Sequence, residues 1–236
     1  MQKNNLNLFI EINELNFVFI AGYYNDENYF EIIEKIIAPI KVFEENKLTN
    51  IDQASELIKK NISIIEKKYN FIFKEIVLIL DAFKYSCINI SGFKKLNGSQ
   101  VLKENISYIL NSLKLFITDN EKDKTIIHIF NSKSILDGVP TENLPIGLFG
   151  DFYNHELTFF LVKNNDFKNI KKIFNQNKLN IKKFLLKSFV NGAQLINRNK
   201  EFETFFLIKI KKYKSQIIFF VKSSLRYVEN FNFGTN

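Results

Sequence analysis

The sequence predicts a mixed α/β protein, and three stretches in its first third carry that expectation. "NLFIEI" and "NFVFIAGY" are strand-like runs joined at a tight polar connection around Asn13 and Glu14, the pattern of an antiparallel hairpin. "TNIDQASELIKKNISIIEKKY" places Ile51, Ala54, Ile58, Ile62 and Ile65 on one stripe at helical spacing. "EIVLILDAF" is an apolar run of strand length, as expected for a buried strand. Three antiparallel strands, a helix and a strand parallel to the first make an α/β opening.

The remaining elements follow in order. A third extended run, "NYFEIIEKIIAPIKVF", contains Pro39, so its far end is expected at a sheet edge or in a loop. Thr49, with Asp52 three residues on, is expected to cap the first helix. "YSCINISGFKKL" reads as a strand and "VLKENISYILNSLKLFI" as a helix. That helix carries Ile106, Ile109, Leu110, Leu113 and Phe116 on one side, a stripe expected to pack on its own sheet. "KTIIHIFNSKSIL" and "FYNHELTFFLVK" are two more strands. "DFKNIKKIFNQNKL" reads as a helix, "IKKFLL" as a short strand and "KSFVNGAQLI" as a helix. Alternating runs in "TFFLIKIKKYKSQIIFFVKSSLRYVENF" close the chain as strands. Boundaries are expected at residues 83–85, around 163 and near 197–201.

Composition narrows the function classes. The net charge of +8 invites a nucleic-acid partner, but only Arg198 and Arg226 among 33 basic residues are arginine. The lysines run along the whole chain, whereas nucleic-acid binders cluster charge and use the arginine fork. No nucleic-acid partner is therefore expected. One cysteine, Cys87, excludes an internal disulfide and a zinc site, and reads as a small packed hydrophobe. The polar, alternating start is not a secretory leader, and no apolar run approaches the ~20 residues of a spanning helix. A cytoplasmic, reducing location is the expectation. His128 and His155 each stand alone among apolar neighbours, which favours packing over catalysis.

One stretch breaks the compositional pattern. "LDGVPTENLPIGLFG", residues 136–150, holds two of the three prolines and three of the eight glycines. Asp137, Gly138, Pro145, Gly147 and Gly150 match a turn of the form Asp-Gly…Asn-Pro-x-Gly-x-x-Gly, with Leu144 in place of the Asn. In its element order and in this turn the chain resembles the actin-like cell-division protein family FtsA. "SELIKKNISII" and "LLKSFVNGAQ" are similar to further segments of that family, and the likeness of order spans essentially the whole chain. The resemblance implies an actin-like (ribonuclease H-like) first subdomain at residues 1–83 and 164–200. It implies an inserted strand–helix–strand–strand module (SHS2-like) at 84–163, and at 201–236 the first strands of an incomplete second lobe.

The departures from the family bear on chemistry. Its first phosphate loop, Asp-Ile-Gly-Thr, corresponds to "EINE", with Glu11 for Asp, Asn13 for Gly and Glu14 for Thr. Its second, Asp-Ile-Gly-Gly-Gly-Thr-Thr-Asp, corresponds to "KIKKYKSQ". Lys209 and Gln216 replace the carboxylates, Lys211, Lys212 and Tyr213 replace the glycines, and Ser215 replaces a threonine. Backbone amides must close on phosphates there, and a Cβ obstructs them. These positions, with Gly234, are expected to be vestiges of a nucleotide site. No cofactor is expected, and ATP with Mg²⁺ would bind only if the altered loops still hold it. The lysines at 209, 211, 212 and 214 read as a solvated strand face and hairpin tip. In the family the counterpart of Gly234 leads into a helix, a further subdomain and a C-terminal membrane-surface helix. None of these is in the sequence, so membrane contact through that helix is not expected. The resemblance then implies a scaffold of bacterial cell division, without enzyme activity, at the inner face of the membrane at the division site. FtsZ and later division proteins are its implied partners, with self-association through the first subdomain and the module. The alternatives are an actin-fold nucleotide hydrolase with altered loops and a stand-alone interaction module.

Overall fold

The computed structural model describes residues 6–44, 47–199 and 201–235. The elements, in chain order, begin with β1 (Asn7–Ile12), β2 (Asn16–Tyr24), β3 (Phe30–Pro39), β4 (Phe43–Glu44) and β5 (Lys47–Leu48). They continue with α1 (Ile51–Tyr69), β6 (Glu75–Leu80), β7 (Tyr85–Lys95), α2 (Lys103–Asn120), β8 (Lys124–Leu136), β9 (Val139–Thr141) and β10 (Phe152–Lys163). The last are α3 (Asn164–Gln176), β11 (Asn180–Leu186), α4 (Lys187–Arg198), β12 (Phe205–Ile210), β13 (Ser215–Val221) and β14 (Ser224–Phe231). The chain divides into two units, one of residues up to Lys84 with Lys163–Lys187, the other of Tyr85–Val162 with Ser188 onward.

The first unit is built on a five-stranded sheet in the order β11-β6-β1-β2-β3. β1, β2 and β3 are antiparallel neighbours, while β6 runs parallel to β1 and β11 parallel to β6. The alternation in β1 puts Leu8, Ile10 and Ile12 in the core at 1% exposure or less. β3 is the edge strand and ends at Pro39, where a missing N–H costs no ladder bond. α1 buries Ala54, Ile58, Ile62 and Ile65, the expected stripe less Ile51 at its first residue, which is half-buried. Its cap differs from the expectation. Asn50 is the N-cap and its side chain accepts from the Gln53 N–H at 2.9 Å. Thr49 instead donates to the Val42 carbonyl at 3.0 Å. Adjacent Thr and Asn are both good caps, and the tertiary contact of Thr49 leaves the role to Asn50.

The second unit contains a four-stranded sheet, β7-β10-β8-β9, separate from the first. α2 covers one face with Ile109, Leu113 and Ile117, packed on Tyr153, Leu157, Phe159 and Leu161 of β10. Phe116, expected on that stripe, is exposed at 53%, and Ile117 takes its place at 2%. After Leu113 the helical repeat returns to the buried face four residues on, not three.

β12, β13 and β14 form a three-stranded antiparallel sheet in the same unit. The sequence puts residues 164–200 with the first subdomain; by contacts Lys163–Lys187 belong to the first unit, and Ser188 onward, with all of α4 but its first residue, groups with the module and the last strands. Aromatic packing accounts for this. Phe189 of α4 lies 5.1 Å from Phe130 of β8, which meets Phe160 of β10 edge-on. At Gly192 an added Cβ would stand 2.0 Å from the buried ring of Phe220 in β13. Glycine there lets the helix seat against the strand.

Candidate functional site

The two hairpin tips that correspond to phosphate loops lie in different units. In the first, Asn13 Oδ1 accepts from the backbone N–H groups of Leu15 (3.1 Å) and Asn16 (2.8 Å), an Asx turn that closes the connection on itself. Glu14 sits on the same turn. Glu11, in β1, pairs with Lys187 at 2.5 Å, and both side chains are largely covered. The carboxylate therefore already has a cation beside it.

The second tip joins β12 to β13, with Lys209 on β12. Its turn is closed by the Lys211 N–H donating to the Lys214 carbonyl at 2.8 Å. The Lys212 ammonium lies 5.0 Å from the Tyr213 ring centre, and that ring is 64% exposed. Ser215 is turned inward, donating to the Phe233 carbonyl at 2.8 Å. Gly234 lies against the turn: a Cβ there would approach the carbonyl oxygens of Lys211 and Lys212 at 2.1 and 2.4 Å. Gln216, at the position of the second carboxylate, is held by three neighbours. Its Nε2 donates to Asn230 Oδ1 at 2.8 Å and to the Tyr85 hydroxyl at 3.3 Å. Its Oε1 accepts from the Ser188 hydroxyl at 3.3 Å, and Ser188 also bonds Tyr85.

The Gly/Pro-rich segment is assembled by backbone demands. Asp137 and Gly138, with φ of 48° and 80°, are the central pair of a two-residue hairpin turn between β8 and β9. Both positive angles suit the primed turn, for which Asp-Gly is a favoured pair. Asp137 also acts as a clasp, accepting from the N–H groups of Asp151 (2.9 Å) and Phe152 (2.7 Å). Pro145 opens a second turn, closed by the Leu148 N–H at 3.1 Å, with Gly147 at φ 87° as its third residue. The segment then pairs with the stretch before α2. Gly147 donates to Val101, Val101 to Leu148, and Gly150 to Ser99, at 2.8, 2.9 and 3.2 Å. At Gly150 a Cβ would come within 2.6 Å of the Leu136 side chain, which would have to shift.

The isolated candidates are packed. His155 is 1% exposed beside Tyr153, and burial holds its imidazole below the usual pKa. His128 stacks on Phe130 at 5.5 Å. Cys87 is half-buried and its thiol donates to the Arg226 carbonyl at 3.2 Å; burial pushes its pKa up to about 11, far from a reactive thiolate. Among the described residues no group of three or more His, Cys, Asp or Glu is placed to hold a metal ion. Nor is any helix there long and apolar enough to cross a membrane.

No family model and no curated protein matches the chain. Solved structures do. The PilM-PilN type IV pilus biogenesis complex aligns over 98% of this chain with a TM-score of 0.66 at 10% identity. The ethanolamine utilization protein EutJ from Carboxydothermus hydrogenoformans aligns over 97%, with a TM-score of 0.50 at 6% identity. The fold is actin-like. The β11-β6-β1-β2-β3 order, with a meander extended by parallel strands, is its ribonuclease H-like sheet. The chain spans 62% of the first of those proteins and 52% of the second. Sequence reasoning found both hairpin tips and the Asp137 turn. It missed the Tyr85–Ser188–Gln216 contacts, in which Tyr85 meets residues more than a hundred positions away and leaves no local signal.

Proposed function

We propose that this protein is an actin-fold scaffold that works through protein–protein contacts and does not turn over nucleotide. The supporting observation is the state of the two hairpin tips. Tight polyphosphate binding needs bare backbone amides, and a hydrated Mg²⁺ needs carboxylates in reach. Here Asn13 takes up two of the amides, Glu11 is paired with Lys187, and Gln216 is shared among Asn230, Tyr85 and Ser188. Calorimetric titration with Mg-ATP near physiological salt is the test, and no saturable heat is the expected result. A dissociation constant in the low micromolar range, about −8 kcal/mol, would overturn the reading and put the altered-loop hydrolase first.

Within that class the turn formed by Asp137, Gly138, Pro145, Gly147 and Gly150 supports a division scaffold of the FtsA type. Its partners would be FtsZ and later division proteins, and its place the inner face of the membrane at the division site. A second reading, a platform for pilus assembly, draws support from the likeness to PilM in its complex with PilN. Purified FtsZ separates them. Saturable binding to the immobilised protein supports the division role, and its absence sinks that role while leaving the scaffold reading intact.

A further inference from the structure

A cleft in the second unit has no part in the readings above. Its two parts, of about 470 and 410 Å³, share Ser132 of β8, Glu156 of β10 and Arg226 of β14. The sizes fall in the range of ligand-binding clefts. The floor has a defined hydrogen-bond direction. Thr158, fully buried, donates to Asn89 Oδ1 at 2.6 Å, so its oxygen accepts the Ser132 hydroxyl proton at 2.6 Å. Asn89, whose carbonyl oxygen is thereby engaged, keeps its NH₂ group as a donor at the cleft.

Arg226 stands out. It is one of two arginines among 33 basic residues, and its Nε is buried with no hydrogen-bond partner. An unsatisfied N–H on a charged group is costly to bury. Burial presses its pKa below the ordinary arginine value, and the charge of Glu156 opposes that shift. The two terminal nitrogens of a guanidinium present parallel N–H donors, a fork that matches the two oxygens of a carboxylate and leaves Nε as a buried reporter beside it. The lining charges are Arg226, Lys133 and Lys222 against Glu142 and Glu156, three cations to two anions. That excess of one positive charge suits a monoanion, whereas a phosphate dianion would face two carboxylates.

We propose that this cleft binds a carboxylate side chain carried on a peptide segment of a partner protein, with Arg226 as the clamp and Asn89 as a second donor. That the carboxylate comes on a peptide rests on the scaffold reading; the carboxylate chemistry rests on the cleft alone.

The two arginines make the test direct, because Arg198 serves as an internal control for the Nε–Hε signal of Arg226. The ¹⁵N-labelled full chain is titrated with a capped glycine–serine heptapeptide bearing one central glutamate. The Arg226 signal is expected to move saturably with a millimolar dissociation constant while Arg198 stays still. The same peptide with central glutamine should leave both in place. Arg226→Lys keeps the charge but loses the fork and should weaken binding about tenfold. Glu156→Gln removes a competing anion and should tighten it severalfold. Equal response to both peptides, no response at millimolar peptide, or unchanged affinity in Arg226→Lys would overturn the proposal. Inorganic phosphate moving the Arg226 signal at lower concentration than the glutamate peptide would overturn it in favour of an inorganic oxyanion site. These outcomes leave the Mg-ATP and FtsZ results untouched, so failure here is separable from failure of the scaffold reading.

Discussion

In the first unit β1 has a strand on each side, β2 antiparallel and β6 parallel, whereas β12 in the second unit pairs only with β13 among the described residues. Both strands begin a three-strand antiparallel meander, and "FFLIKI" is at least as apolar as "NLFIEI". Their burial is nonetheless opposite. Leu8, Ile10 and Ile12 are at 1% or less, while Phe206, Ile208 and Ile210 are exposed at 61–66%. Local sequence makes both into strands; pairing with segments far along the chain decides which one becomes core. The second meander is held instead by Ile218, Phe220, Leu225 and Val228, all buried on β13 and β14.

If that division is right, stability should respond to mutations very unevenly. The largest effect is expected at the anchor of the second meander, where Phe220→Ala should cost about 3–5 kcal/mol in denaturant unfolding. A cost below about 1 kcal/mol would show that the ring seated at Gly192 does not hold the sheet. Next is the pair that states the contrast directly. Ile10→Ala should cost about 2–5 kcal/mol, and Ile208→Ala, in the middle of the equivalent strand, no more than about 0.5 kcal/mol. Similar values for the two would remove the distinction. Leu113→Ala, within the module core, should cost a few kcal/mol by the same cavity mechanism, and a loss under about half a kcal/mol would place that residue outside the core.

The smallest effect is one of pH. The imidazole of buried His155 has its pKa lowered from 6.5, so the unfolded chain binds a proton where the folded one does not. Its contribution is complete above 6.5 and is lost as pH falls below that value, toward the depressed folded pKa. Unfolding midpoints measured from pH 7.5 down to about 5 should show the decline, and His155→Gln should flatten it. An unchanged slope in that variant would assign the decline to other groups.

What could be read from the sequence was local. The Asn13 connection, Pro39 at an edge and the Asp137–Gly138 turn each announce themselves through a residue whose backbone or side-chain chemistry has few alternatives. The first-helix cap was misjudged because Thr49 and Asn50 have nearly equal propensities, and a contact with Val42 decides between them. Phe116 was misplaced by one position of helical drift. The grouping of α4 depended on Phe189 meeting Phe130 and on Phe220 meeting Gly192, none of which a spacing reveals. The cleft around Arg226 drew its lining from β7, β8, β9, β10, β13 and β14, so it had no motif to find.

The register of β7 on β10 has one more consequence. Tyr85 pairs with Val162 and Lys95 with Phe152, in antiparallel register from one end of β7 to the other. The chain thus enters this region and leaves it at directly opposed residues, about 5 Å apart. A segment with adjoining ends can be bridged by a tight turn without moving the two points where it joins the chain. A short turn substituted for residues 86–161 should therefore preserve the strand order β11-β6-β1-β2-β3, while Phe189 of α4 would lose the Phe130 ring it packs on.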